Sequence, residues 1–172
     1  MTSMCPKKRE EAAPRLWVLA RLWDELSSGG SLPQKAEFFA RDARSTSGIL
    51  PFALMARMGP GEEAVRPAFV GTELGHRLGL QASASDLRQA GDGRLLSLLD
   101  LLTLAAEARR PYLAAGRIGL ADGLAETVQV AVFPLEERAK DLALLACFEF
   151  LEVAGGTGVA PTDLAIDTVT SL

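Results

Sequence analysis

The chain has 172 residues and a mass of 18.3 kDa, which suits one domain with a sizeable core, or one domain plus short tails. Apolar residues make up 48% and charged residues 23%, a balance that excludes both a disordered acidic polypeptide and an integral membrane protein. A formal charge of -4 and a pI near 5.1 offer no basic footprint for nucleic acid or for an anionic membrane surface.

Residues 1–8 read as a loose tail. Leu16, Leu19, Trp23 and Leu26 then recur at the offsets of an amphipathic helix, which Ser27-Ser28-Gly29-Gly30 stops. Residues 33–48 carry few aliphatics apart from Phe38-Phe39 and are expected to be a short helix or an irregular linker. Residues 49–58 form an apolar run closed by Gly59-Pro60-Gly61, a first strand and its turn. Residues 65–70 are a second strand, and Pro67, lacking a backbone donor, favours an edge position or the strand's beginning. Thr72 can cap a short helix through Leu74 and Leu78, with Gly79 placed to end it. Residues 81–93, rich in Ser, Ala, Gly and Asp, are expected to form short crossing turns.

Residues 94–110 give the strongest helix signal. Ser97, Asp100, Thr103 and Glu107 make a narrow polar stripe and leucines surround the rest, so this helix must be covered on more than one side before Pro111 ends it. Strands follow at 112–120, 124–133 and 142–151. Asp122-Gly123 joins the first two as a hairpin, and the charged stretch 134–141 suits an exposed turn. Residues 153–172 read as a partly ordered tail, so the domain proper is expected to span 9–152. Strands and helices come in separate blocks, which predicts an α+β fold with an antiparallel sheet.

In this order, several residues together resemble the PAS domain superfamily, and especially its small single-domain proteobacterial members. They are Leu22-Trp23 with Gly30 and Leu32-Pro33, Leu50-Pro51, and Phe69-Val70-Gly71-Thr72-Glu73-Leu74 with Gly79, followed by Arg110-Pro111 and Phe133-Pro134-Leu135. The resemblance spans about residues 16–152. It implies a five-stranded antiparallel sheet with helices on one face, preceded here by the N-terminal amphipathic helix, and a role in signal reception or protein-protein signalling. It also implies that the long helix crosses the inner face of the sheet. Leu98 and Leu102 would then oppose Tyr112, Val130 and Cys147, and a small apolar ligand would sit among them. A core already filled by leucines is the competing expectation.

Other chemistry is weakly supported. His76, the only histidine, lies beside Glu73 and Arg77 and reads as a surface residue, with no histidine on the long helix to ligate a haem. Two distant cysteines and one histidine give no tetrahedral metal set, and neither glycine cluster has the Walker lysine, so no cofactor is expected. Cys147, in an apolar run, is read as an inert buried thiol. Trp17 and Trp23 point about 120° apart on a helix, so one of them, Trp17, is expected to meet another surface. The stretch after Lys7-Lys8-Arg9 is not expected to act as a signal peptide, and no apolar window is expected to span a bilayer. The expectation is thus a non-catalytic cytoplasmic PAS-type sensor or adaptor, a homodimer that regulates a signalling partner such as a histidine kinase pathway component. A receptor for a small apolar ligand is the alternative.

Overall fold

The computed structural model describes residues 12–59, 65–80, 86–90, 94–138, 141–152 and 161–172. The expected tail 1–8 and the turns at 60–61, 81–85 and 91–93 lie outside them. The chain is α+β. Helix α1 (Pro14–Leu26) opens with proline in its first turn, where a missing N–H is harmless, and ends at Ser27, whose N–H donates to the Trp23 carbonyl, before a turn in which Gly29 takes a φ of 67°. Helices α2 (Lys35–Arg41) and α3 (Ala43–Ile49) follow, and Asp42 between them caps α3 by accepting from the Ser45 N–H. The first strand expected at 49–58 is therefore shorter: Ile49 closes α3, a 3₁₀ turn takes Leu50–Phe52, and β1 is Ala53–Met58.

Strand β2 (Arg66–Val70) leads into α4 (Thr72–Leu78), capped at its end by Gly79 with a φ of 63°. Gly71 joins the two. Its N–H donates to the Ala53 carbonyl at 2.7 Å, and a Cβ there would lie 2.2 Å from the Leu50 carbonyl oxygen, so no other residue fits this crossing. A short α5 (Leu87–Ala90) precedes the long α6 (Leu96–Ala108). Strands β3 (Tyr112–Leu120), β4 (Ala125–Glu136) and β5 (Leu142–Glu152) follow, and β6 (Pro161–Ser171) ends the chain.

All six strands form one sheet in the order β2-β1-β5-β4-β3-β6, every neighbouring pair antiparallel. Two expectations need correction. The sheet has six strands, because residues 161–171 pair along the whole of β3 instead of trailing as a tail. Gly116 permits this pairing: a Cβ at that position would stand 2.3 Å from the Ala165 carbonyl oxygen. Helices also cover both faces, not one. Leu54, Ala114, Val130, Leu144, Ala146 and Phe148 bury one face under α4, α5 and α6, while Ala53, Met55, Leu113, Ala131, Phe133 and Leu145 bury the other under α1, α2 and α3. The physical reason lies in β1, β4 and β5, which are apolar on successive residues rather than on alternate ones and so demand cover on both sides.

The N-terminal helices are pinned to the end of β4. The Trp23 indole N–H donates to the Pro134 carbonyl at 2.8 Å, the Glu136 N–H donates to the Pro33 carbonyl, and the Gln34 amide donates to the Glu136 carboxylate at 2.7 Å. Residues 134–136, expected in an exposed turn, are instead the final residues of β4. Among the described residues, no helix is long and apolar enough to cross a membrane.

Candidate functional site

The face under α6 holds most of the expected ligand walls. Leu98 and Leu102, one helical turn apart, are fully buried in the same cluster as Val130 and Tyr112. The Tyr112 hydroxyl accepts from Arg110 Nε at 3.2 Å, and that guanidinium stands 5.6 Å from the Tyr112 ring centroid, so the one hydroxyl on these walls already has a partner. Cys147 does not join them. It is paired with Ala53 on β1 and Ala131 on β4 and lies in the cluster on the opposite face, under α1. Ala146 and Phe148, its neighbours in sequence, are the β5 residues that face α6. Burial pushes the Cys147 thiol well above the usual thiol range, which suits an unreactive side chain.

At one end of this face the sheet buries a charge that sequence reading passed over. Glu126 stands in phase with Val128, Val130 and Val132 on β4, and Arg77 from α4 reaches it, Nη1 donating to Oε2 at 3.1 Å and to Oε1 at 3.3 Å. The same guanidinium lies 4.3 Å from the centroid of Phe150, which stacks on Phe148 and meets Phe52. A carboxylate amid alternate valines was the available signal. His76, beside Arg77 on α4, is exposed.

Across the sheet, Trp23 is buried and Trp17 is half-buried against the same cluster. Two rings about 120° apart both find cover because α1 is bedded against β4 and β5 on one side and against α2 and α3 on another. Nearby, Glu137 accepts from Arg57 Nε and Nη2, both at 2.8 Å, and pairs with Lys35; these cations, Arg57 first, hold its carboxyl below the usual range.

A cleft of about 320 Å³ opens between α1 and α3, lined by Pro14, Arg15, Val18, Arg44, Ser45 and Gly48. Val18 is 42% exposed on its wall. At the cap of α3, Ser45 Oγ donates to Asp42 Oδ2 at 2.6 Å, and the Ser45 hydrogen bonds hold the Asp42 carboxyl below its usual value, with the Arg44 charge adding to the effect. Its α3 wall, Arg44, Ser45 and Gly48, falls in residues 33–48, where no helical stripe marked two short helices, and Trp17, singled out from the sequence, is not one of its lining residues. Among the described residues, no group of three or more His, Cys, Asp or Glu is gathered as a metal site. Comparison with known proteins finds no matching family model and no curated protein similar in sequence.

Proposed function

We propose that this chain is a non-catalytic cytoplasmic PAS-type signalling sensor or adaptor, which pairs with a second copy and regulates a partner protein, for instance a histidine kinase pathway component, by direct contact. The observation that carries the reading is the contiguous block β2-β1-β5-β4-β3 with the segment α4 to α6 laid across one of its faces. The resemblance implies an antiparallel sheet with the long helix across its inner face, which this block offers, whereas β6 and the α1 to α3 layer depart from it. Contact surfaces support it further. Leu96 and Leu104, two turns apart on α6, are 52% and 38% exposed on either side of Asp100, where solvent alone would favour polar residues.

Light scattering tests the pairing. The expected mass is twice that of the chain, and Leu96→Glu with Leu104→Glu should halve it without lowering the melting temperature. A wild-type mass of one chain across a wide concentration range counts against pairing. Affinity capture from native lysate tests the regulatory role: a signalling protein enriched by the wild type and lost with the double variant is the expected result.

A second reading, a receptor for a small apolar ligand, draws support from Leu98, Leu102, Tyr112 and Val130 sharing one cluster. Mass spectrometry of an organic extract of the purified protein tests it. Retention of a stoichiometric lipid-like molecule that Leu98→Trp abolishes is the outcome expected of that reading.

A further inference from the structure

We propose that the cleft between α1 and α3 is a binding site for a small amphiphilic carboxylate, with the acid held by Arg15 and Arg44 and the apolar body lying over Pro14, Val18 and Gly48. The site is distinct from the α6 face and does not depend on the adaptor reading.

Three observations converge on it. The cleft's volume, about 320 Å³, lies at the lower end of the range that holds small organic ligands. Arg15 comes from α1 and Arg44 from α3, so cationic residues from two separate elements line one opening, and neither forms a salt bridge with a described residue. The Asp42 carboxylate beside Arg44 accepts from the Ser45 N–H and hydroxyl, and no hydrogen bond among the described residues uses the Arg15 or Arg44 guanidinium, so their donors can serve an external anion. Guanidinium donors in a fork suit a carboxylate, and the exposed Val18 and Pro14 suit an apolar chain attached to it.

Gly48 is the third observation. It lies inside α3, where glycine is a poor helix former, and the fold does not explain it: its φ is not positive, so it is no C-cap, and the chain continues from Ile49 directly into the 3₁₀ turn. A Cβ built on Gly48 meets nothing within 4 Å. Any side chain there would project into open space from a residue that lines the cleft, so the glycine costs helix propensity without relieving a contact. A local rule broken without a packing reason is the pattern found at binding sites.

The test is titration of the full chain with sodium octanoate, octanol and inorganic phosphate, followed by heteronuclear NMR. Octanoate should shift the amides of residues 15–18 and 44–48 saturably, with octanol and phosphate each at least tenfold weaker. Gly48→Leu, whose Cβ would meet nothing within 4 Å and whose side chain starts from a residue lining the cleft, should abolish the octanoate shifts while holding or raising the melting temperature. Arg15→Gln with Arg44→Gln should weaken octanoate binding at least tenfold and leave octanol unchanged, which keeps the test decisive if Gly48→Leu folds poorly. Octanoate binding undiminished in both variants, equal binding of octanol, phosphate binding as tight as octanoate, or no saturable shift at these residues would each overturn the proposal.

Discussion

Gly116→Ala isolates the sixth strand. The added Cβ would lie 2.3 Å from the Ala165 carbonyl oxygen and 3.1 Å from the Ile166 Cα, both backbone atoms of β6 that cannot rotate away. To reach the 3.4 Å of ordinary contact, β3 and β6 must part by about 1 Å at this point. The ladder already shifts register between Ala115 and Gly116, so the strain falls on a bulge with few bonds to share it. Overpacking of this kind costs about 1–3 kcal/mol, and one or two lost ladder bonds add about 0.5–1.5 kcal/mol each. The expected loss is about 1.5–6 kcal/mol, read as a lower urea midpoint. Amide exchange should locate it, with protection falling along 161–171 before it falls on β4 or β5. Gly48→Ala, where a Cβ meets nothing, is the control and should hold or raise the midpoint. If Gly116→Ala keeps both the midpoint and the β6 protection, β6 does not lie against β3 as described.

Four more outcomes are expected. Trp23→Ala should destabilise by about 3–5 kcal/mol, and Trp23→Phe by less, because only the latter keeps a ring in the site while losing the indole bond to Pro134; equal urea midpoints for the two variants would contradict this. Glu126→Ala should cost about 1–2 kcal/mol, since it strips a largely buried carboxylate from Arg77, whose partial exposure softens the penalty; a midpoint unchanged within error counts against the pair. Glu137, with its carboxyl lowered by Arg57 and Lys35, adds stability that is present above the ordinary carboxylate value and is lost as pH falls through its lowered value. Acid titrations of wild type and Glu137→Gln should therefore differ above that point and converge below it. Cys147 should resist iodoacetamide in the native protein at pH 8 and react in urea, as peptide mapping would read.

The parts legible in the sequence were those with local signals. Strand β3 matched its expected bounds because Pro111 and the Ala121-Asp122-Gly123 hairpin fence it on both sides, and α4 ends at Gly79 as expected, although Thr72, expected to cap it, is its first helical residue and Gly71 stands at the cap with no side-chain bond. Face assignment failed at Cys147 for a physical reason. Residues 143–148 are all buried, so alternation carries no contrast there, and only the cross-strand register places Phe148 toward α6 and Cys147 toward α1. The sixth strand was missed because Thr162, Asp163, Asp167 and Thr168 make it polar and exposed, as an edge strand must be, and its partner β3 lies far back in the sequence. Helices α2 and α3, seven residues each, are too short to show a stripe, and the cleft between α1 and α3 disappeared with them. The Arg77–Glu126 pair joins a short helix to a strand far along the chain and so leaves no local signal beyond Glu126 keeping the valine phase of β4.

Site-specific photo-crosslinking in the native host tests the adaptor account most directly. A photoreactive residue at position 96 on α6 is compared with one at position 122 in the β3–β4 turn, both exposed positions. The account predicts discrete adducts from position 96, one at twice the chain's mass and one with a signalling protein, and none of comparable yield from position 122. Equal adduct patterns from the two positions, or none from position 96, would contradict it.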